Sequence, residues 1–209
     1  MQPELLALLA ARNGHFRLES GHHGNLWLDL DPLFLRPGHL QRFVAGLADK
    51  LAGHNVGAVC GPLTGGAFLA QSVAAVLNVE FYYTERCAPP ERDALYAVRY
   101  RMPGGLRERV RGKAVAIVDD VINAGSAVRG TLAELWSCGA NPVAVGALLV
   151  LGSAAASFCA DQNLSLEYIA HLPNEVWAPA ECPLCAAQAP LEDLAAEEPG
   201  LCARQANVK

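Results

Sequence analysis

Apolar residues recur along the chain in two spacings, which predict an alternation of strands and helices. Short apolar runs typical of buried strands lie at Val56 to Cys60, Glu80 to Thr84, Ala114 to Val118 and Val143 to Leu149. Helical spacing marks Met1 to Arg12, His39 to Leu51, Ala67 to Leu77 and Val128 to Cys138. The alternation predicts an α/β fold whose central sheet is mainly parallel and is flanked by helices.

The two ends of the chain follow different patterns. Apolar residues alternate in Phe16 to Gly21 and in Asn25 to Asp31, which predicts two half-buried strands joined at Gly21 to Gly24. The tail after about residue 173 is rich in Pro, Ala, Glu and Cys, so we predict loops there and a short helix near Leu191 to Glu198. We predict a single domain over residues 1–209, with a small N-terminal unit at about 1–35.

Composition narrows the function classes. The chain has 209 residues, of which 52% are hydrophobic and 18% charged, so it is not a disordered segment. A formal net charge of −5 without a basic run argues against a nucleic-acid partner, so an anionic ligand must be held locally. The start has no basic leader, and uncharged Val143 to Ala160 fits a strand followed by a helix better than a membrane span. We therefore predict a cytoplasmic protein with no membrane partner.

The cysteines and histidines leave one metal question open. The 7 cysteines are an odd number, so without a leader we interpret them as reduced thiols. Cys182 and Cys185 form a CxxC pair, which is half of a structural metal site. The nearest further ligands along the sequence are Cys202 and His171, and the alternative is a tight turn packing two small thiols. The N-terminal histidines, which are His15, His22 and His23, are interpreted as surface residues, with a substrate contact open for the last two.

The most informative segment follows the third predicted strand. Asp119 and Asp120 come directly after Ala114 to Val118, and the next turn runs through Asn123 to Ala127 into a helix. Ligands of open α/β sheets bind at the carboxyl ends of strands, and free N–H groups at a helix start favour a phosphate. Two carboxylates would repel a bare phosphate but suit sugar hydroxyls or a Mg²⁺ ion. A ribose 5-phosphate unit satisfies both halves of the segment.

These residues carry a family resemblance. The run from Val118 to Ser126 resembles the phosphoribosyl pyrophosphate motif of type I phosphoribosyltransferases. Within that family the chain is most similar to the orotate branch: Phe16 to Gly21 resembles its N-terminal hood signature and Gly61 to Gly66 its pyrophosphate loop. The ending from Cys182 to Glu192 is similar to the tails of one bacterial branch. The resemblance implies the type I phosphoribosyltransferase fold, with the N-terminal unit as the hood.

The resemblance also implies roles for residues. Asp119 and Asp120 would bind the ribose hydroxyls, hold Mg²⁺ directly or through water, and assist as acid or base. The 5-phosphate would be wrapped by Asn123, Ala124, Gly125, Ser126 and Ala127. Thr64, Gly65 and Gly66 would approach the pyrophosphate. Arg86 would supply a catalytic cation, and the hood residues Glu19 and Ser20 would face the base. Phosphoribosyl pyrophosphate and a nucleobase would be the substrates, and a homodimer is expected.

Departures from the family pattern concentrate around the base. The mobile-loop sequence Lys-x-His-Gly is missing, and Arg92, Arg99 or Arg101 would have to replace its cation. Glu19 stands where the family usually has Lys, and Leu151-Gly152-Ser153 replaces an ending in Asp-Arg. The first reading is transfer of a phosphoribosyl group to orotate in pyrimidine nucleotide biosynthesis. The alternatives are a phosphoribosyltransferase for another base and a non-catalytic protein that binds phosphoribosyl pyrophosphate or a nucleotide.

Overall fold

The structure, a computed structural model, describes residues 2–87 and 95–193. Its helices are α1 (Gln2–Leu6), α2 (Asp31–Phe34), α3 (Gln41–Ala52), α4 (Gly65–Leu77), α5 (Gly104–Arg107), α6 (Ser126–Ser137), α7 (Ala154–Asp161) and α8 (Pro183–Ala186). Its strands are β1 (Ala10–Arg17), β2 (His23–Asp29), β3 (Ala58–Pro62), β4 (Glu80–Cys87), β5 (Arg99–Arg101), β6 (Ala114–Ile122), β7 (Asn141–Leu151), β8 (Ser165–Leu172), β9 (Val176–Trp177) and β10 (Glu192–Asp193). Short 3-10 turns lie at Pro37–Leu40 and Pro179–Glu181.

The central sheet confirms the predicted α/β fold. Its order is β5-β4-β3-β6-β7-β8, and β3, β4, β6, β7 and β8 pair in parallel while β5 is antiparallel to β4. Successive side chains of β6 point to opposite faces: Ala116 and Val118 pack with α3 and α4, whereas Val115 and Ile117 pack with α6 and α7. Helices therefore cover both faces, and this explains why the strands are apolar runs.

A second, smaller sheet joins the hood to the tail. Its order is β10-β1-β2-β9, so the hairpin β1–β2 is flanked on each side by a strand from the last part of the described chain. Phe16 pairs with Glu192, and His23 pairs with Trp177. Ion pairs Arg12–Glu192 (2.9 Å) and Arg17–Asp193 (3.5 Å) lie along the same edge. The tail thus completes the hood sheet.

Several local predictions are wrong. The first helix ends at Leu6, because the chain enters β1 at Ala10 and its residues there pair with β2. The hairpin turn lies at residues 18–22, with Leu18 N–H bonded to the His22 carbonyl, so Glu19 and Ser20 occupy the tip instead of a strand. Leu191 is not helical and Glu192–Asp193 forms β10, while residues 194–198 of that predicted helix lie outside the described residues. Pairing between distant segments overrides local pattern here.

The uncharged stretch from Val143 to Ala160 forms a strand followed by a helix, as predicted. It contains most of β7 and α7, joined at Gly152 and Ser153. Within residues 2–87 and 95–193, none of the helices combines the length and the apolar character needed to span a bilayer.

Candidate active site

The two aspartates lie inside β6, which is longer than predicted. The strand continues to Ile122, because Val121 pairs with Leu149 and Ile122 with Val150 of β7. Both carboxylates are buried, with 7% exposure for Asp119 and 8% for Asp120. Burial, the neighbouring Asp120 charge and Glu19 raise the pKa of Asp119 well above its usual value. A cation or a set of sugar hydroxyls beside this pair would relieve its repulsion.

The phosphate half of the site follows β6 directly. Asn123 to Ala127 forms the turn into α6, and Gly125 stands at its N-cap position with φ of 82°. Among the described residues no side chain caps α6, so its first backbone N–H groups face the turn without a side-chain acceptor. With the helix dipole, such a terminus binds an anion without needing a positively charged side chain.

The turn between β3 and α4 comes close to the aspartates. A Cβ atom on Gly65 would lie 2.1 Å from Oδ2 of Asp120, and one on Gly66 would lie 2.5 Å from Oδ1 of Asp119. Only glycine allows this approach, because any larger residue would displace a carboxylate. Thr64 and Gly65 line the cavity described next, whereas Gly66 packs behind them.

These elements enclose one cavity of about 370 Å³ beneath the hood. Its lining includes most of the predicted site residues: Glu19, Ser20, Thr64, Gly65, Asp119, Asp120, Asn123, Ala124, Gly125, Ser126 and Ala127. The hood adds an apolar wall from Leu26 to Leu30, interrupted by Asp29. Sequence reasoning did not assign this wall to the site. Among the described lining residues there is no Lys, Arg or His, so charged lining side chains are all carboxylates.

Glu19 links the hood to the phosphate turn. The Ser126 hydroxyl donates to its Oε2 (2.6 Å) and the Tyr100 hydroxyl donates to its Oε1 (2.8 Å). Arg86 Nε lies 3.0 Å from the same Oε1. Burial and the Glu19 charge raise the pKa of Tyr100 well above its usual value, so this phenol stays protonated as a donor. The Glu19 carboxylate therefore accepts a hydrogen bond from the Ser126 hydroxyl, which the family resemblance assigns to the substrate phosphate.

The candidate loop cations have different surroundings. Arg86 lies on β4 outside the cavity lining, and its Nε–H has no hydrogen-bond partner among the described residues because it is not aimed at the Glu19 oxygen. Arg101 instead pairs with buried Glu134, which also binds Arg107. Arg99 lies exposed on β5, and Arg92 falls outside the described residues. Arg86 is the predicted cation that lies in contact with a cavity residue.

The carboxyl end of β7 borders the cavity where the family resemblance expects the base. Leu151 lines the first cavity and also a second one of about 360 Å³, which shares Asn123 with it. A Cβ atom on Gly152, whose φ is 66°, would lie 2.5 Å from the Asn174 carbonyl oxygen. The Asn174 amide donates to Oδ1 of Asn123 (3.1 Å). Two neutral amides thus lie near Gly152, at the strand ending where the family resemblance expects Asp-Arg.

Arg129 is a nearby cation that sequence reasoning missed. It follows Ser126 by one turn of α6, and its guanidinium lies 4.4 Å from the Tyr96 ring centre and 3.9 Å from that of Phe158. Its buried Nε has no hydrogen-bond partner among the described residues. Burial of His22 is the main cause that lowers its pKa, and the charge of Arg129 lowers this pKa further. The signal in the sequence was the position of Arg129 three residues after Ser126, because residues at i and i+3 lie on the same face of a helix.

Known proteins resemble this chain in both sequence and structure. A family model described as "Phosphoribosyl transferase domain" matches residues 38–160. The orotate phosphoribosyltransferase of Desulforamulus reducens is 30% identical over 176 residues, which is 84% of this chain and 85% of the relative. That of Thermotoga maritima is 30% identical over 193 residues, or 91% and 92%. Both alignments extend beyond the family match.

Solved structures agree on the architecture. An adenine phosphoribosyltransferase from Thermoanaerobacter pseudethanolicus has a TM-score of 0.63 at 16% identity, covering 81% of this chain and 99% of that one. An orotate phosphoribosyltransferase from Aeropyrum pernix has a TM-score of 0.59 at 24% identity, covering 80% and 93%. At these identities the likeness establishes the fold alone.

The fold is therefore that of type I phosphoribosyltransferases. Because the family model covers more than half of the residues, the chain belongs to the phosphoribosyltransferase family, whose members use phosphoribosyl pyrophosphate and a nucleobase.

Proposed function

We propose that this protein transfers the 5-phosphoribosyl group of phosphoribosyl pyrophosphate to orotate, releasing pyrophosphate. The observation that carries the proposal is the single cavity in which Asp119 and Asp120, the Asn123–Ala127 turn and the β3–α4 turn meet beneath the hood. Asp119 and Asp120, which form the acidic edge of the cavity, suit the ribose hydroxyls. The N-terminus of α6 suits the 5-phosphate. Orotate is proposed because relatives of that name are 30% identical over 84% and 91% of the chain.

The chemistry is a displacement at the anomeric carbon. A base nitrogen forms the new bond, and the bond to the pyrophosphate oxygen breaks through an oxocarbenium-like transition state. The chain's own residues position the two substrates and exclude water, which is where most of the acceleration in such a reaction arises. Arg86, whose guanidinium lies beside the cavity residue Glu19, is proposed to stabilise the leaving pyrophosphate.

Mg²⁺ fits the donors at the acidic edge. Asp119 and Asp120 offer oxygen ligands, and the raised pKa of Asp119 reflects a repulsion that a cation would reduce. The ion, bound with the pyrophosphate and held directly or through water by these carboxylates, would neutralise charge on the leaving group.

A second candidate function is transfer to a base without a carboxylate. It is favoured by the cavity lining, whose charged side chains among the described residues are carboxylates only. Orotate would bring its own negative charge close to Glu19, and an unpaired buried charge is costly. The Asn123 amide, which lines this cavity, would instead bind a neutral base edge.

A turnover assay separates these candidates. The protein is supplied with phosphoribosyl pyrophosphate and Mg²⁺, and nucleotide formation is measured separately for orotate, uracil, adenine, guanine and hypoxanthine. Orotidine monophosphate from orotate alone is the expected result. Product only from an uncharged base would support the second candidate. Calorimetric binding of phosphoribosyl pyrophosphate with no product from any base would contradict both and favour a non-catalytic binding protein.

Replacing Glu19 by glutamine is expected to lower KM for phosphoribosyl pyrophosphate. The change removes a negative charge from the Ser126 hydroxyl and releases Arg86 from its ion pair. A like-charge repulsion of about 1 kcal/mol, typical of a hydrated pair at 4 Å, corresponds to about fivefold in KM. Steady-state kinetics measures this, with exposed Glu108→Gln as the matched control. An increased KM would mean that Glu19 positions the site instead of obstructing it.

A further inference from the structure

Four side chains from the hood and the tail converge away from the cavity. His15 lies on β1 and His23 on β2, whereas Cys182 precedes α8 and Cys185 lies within it. One ring nitrogen from each histidine and both Sγ atoms all lie within 4.8 Å of one another. More than 150 residues separate the hood pair from the tail pair, so the fold alone brings them together.

The spacing of these atoms matches the edges of a tetrahedron. Nε2 of His15 is 3.1 Å from Nδ1 of His23 and 3.4 Å from Sγ of Cys182. Sγ of Cys185 is 3.2 Å from His23 Nδ1 and 3.7 Å from His15 Nε2. With zinc–nitrogen and zinc–sulfur bonds of about 2.0 and 2.3 Å, a tetrahedral site needs nitrogen–nitrogen edges of about 3.3 Å and nitrogen–sulfur edges of about 3.6 Å. These four edges are therefore close to those of a tetrahedral zinc site, and the remaining two atom pairs lie within 4.8 Å.

The second hydrogen-bond shell favours a metal. Nδ1 of His15 lies 2.9 Å from the Ala189 carbonyl oxygen, which only accepts, so Nδ1 carries the proton and Nε2 presents its lone pair to the cluster. Metal-bound histidines are typically oriented in this way by a backbone carbonyl. His15, His23 and Cys182 are 4%, 5% and 3% exposed, so the interior of the cluster is largely closed to solvent.

We propose that His15, His23, Cys182 and Cys185 bind a structural zinc ion. Two thiolates and two imidazoles in a tetrahedron are a donor set that selects zinc over Mg²⁺ or Ca²⁺. Four protein ligands leave no open coordination position, so the ion has no catalytic role. This site is independent of the proposed function, because none of its ligands lines the substrate cavity.

Two expectations from the sequence about these ligands are wrong. His15 and His23 are buried ligand candidates and not surface histidines. His171 is not part of the cluster that contains the CxxC pair, and its Nε2 donates to the Gly152 carbonyl (2.9 Å), while Cys202 falls outside the described residues. The missing ligands come from the hood, at the opposite end of the chain.

The ion would fix the hood through the tail. β9 and β10 flank the hairpin that carries His15 and His23, and α8 lies between those two strands in the chain. Metal–ligand bonds between the hood and the tail would close a long loop of the chain, and closing this loop strongly restricts the conformations of the unfolded chain. Since the hood supplies Glu19, Ser20 and the apolar wall of the cavity, the zinc would support the roof of the active site from outside.

The test measures metal in the full-length protein and in matched cysteine variants. Protein prepared without chelator is analysed for zinc by elemental analysis and native mass spectrometry, and we expect about one zinc per chain. Cys185→Ala, which changes an exposed residue, and the double variant Cys182→Ala/Cys185→Ala should lose at least tenfold in zinc affinity, by analogy with about 10–100-fold for lost supporting groups. Cys159→Ala is the control, because burial raises the pKa of its thiol to about 11 and keeps it protonated.

Two further measurements keep the result interpretable if a variant folds poorly. Co²⁺-loaded wild-type protein should show thiolate-to-cobalt charge-transfer absorption and the visible bands of a tetrahedral centre. A chelator should lower Tm of the wild type but not of Cys185→Ala. Wild-type protein that binds no zinc, a Cys182–Cys185 disulfide in its mass spectrum, or equal zinc loss in Cys159→Ala would each overturn the proposal.

Discussion

Replacing Asp119 and Asp120 together by asparagine is expected to lower turnover by roughly 10³-fold, since losing even one preorganised electrostatic group typically costs 10²–10³. Asparagine keeps the size of the side chain and an oxygen that accepts the N–H groups of Asp120 and Val121. The fold should therefore persist while the charge that binds the ribose hydroxyls or Mg²⁺ is lost. Steady-state assays with the accepted base measure the effect.

The same double variant is expected to be more stable than the wild type. The raised pKa of Asp119 means that the folded state binds its proton more tightly than the unfolded chain. The free energy of unfolding of the wild type therefore falls as pH rises from about 4, the ordinary carboxyl pKa, through the raised pKa of the folded state. The variant avoids this fall, and relief of about 1 kcal/mol raises Tm by roughly 2–4 °C in a chain of this size. Thermal unfolding at pH 5 and pH 7 measures the difference.

Exposed aspartates provide the matched control. Asp49→Asn/Asp161→Asn removes the same two charges from helix surfaces, so activity and Tm should stay close to wild type. Full activity in the Asp119/Asp120 variant would show that the site is assigned to the wrong residues. Lost activity with a lower Tm would show that the carboxylates are structural partners instead.

Replacing Gly61 by alanine is expected to damage both stability and activity. The new Cβ would lie 2.2 Å from the Gly66 carbonyl oxygen and 2.8 Å from the Ala67 nitrogen, which are backbone atoms at the start of α4. Overpacking of this kind costs about 1–3 kcal/mol. Because α4 must move away from β3, Thr64 and Gly65 move with it, and a displacement of about 1 Å lowers turnover by about 10²-fold.

Gly104→Ala is the control for this change. Among residues 2–87 and 95–193, no heavy atom outside the neighbouring backbone lies within 4 Å of the Cβ position at Gly104, so the added methyl group meets no obstacle there. Tm and kcat of each variant are compared with wild type under the same conditions. A Gly61→Ala protein with wild-type Tm and kcat would show that the β3–α4 turn tolerates expansion and does not hold the site geometry.

Local pattern was sufficient for four of the six strands of the central sheet. Apolar runs of strand length and the helices between them predicted β3, β4, β6, β7, α4 and α6 to within a few residues, because a strand buried on both faces has a signature in its own segment. β8 and β5 carried no such signature: Ser165–Leu172 is a partly exposed edge strand. β9 and β10 have 2 residues each and exist only through pairing with the hood.

The phosphate half of the candidate site was also predictable. Asp119, Asp120 and the Asn123–Ala127 turn are consecutive in sequence, and their strand-turn-helix context fixes where they lie. The base half was not. The Leu26–Leu30 wall, the Asn174 amide and the Glu19 contacts with Arg86, Tyr100 and Ser126 join segments far apart in the chain.

The α/β class, the family resemblance and the residues of the phosphate turn follow from the amino-acid sequence alone, because each depends on the spacing of neighbouring positions. The tertiary structure sets which distant partners meet Glu19 and the CxxC pair. It gave Glu19 a cation and two hydroxyl donors, and it gave Cys182 and Cys185 two buried histidines from the opposite end of the chain. The histidines meet the cysteines because β9 and β10 pair with the hood, whereas Glu19 meets its partners because the hood lies over β4, β5 and α6. Contacts between distant segments leave no periodic pattern in the sequence of either segment.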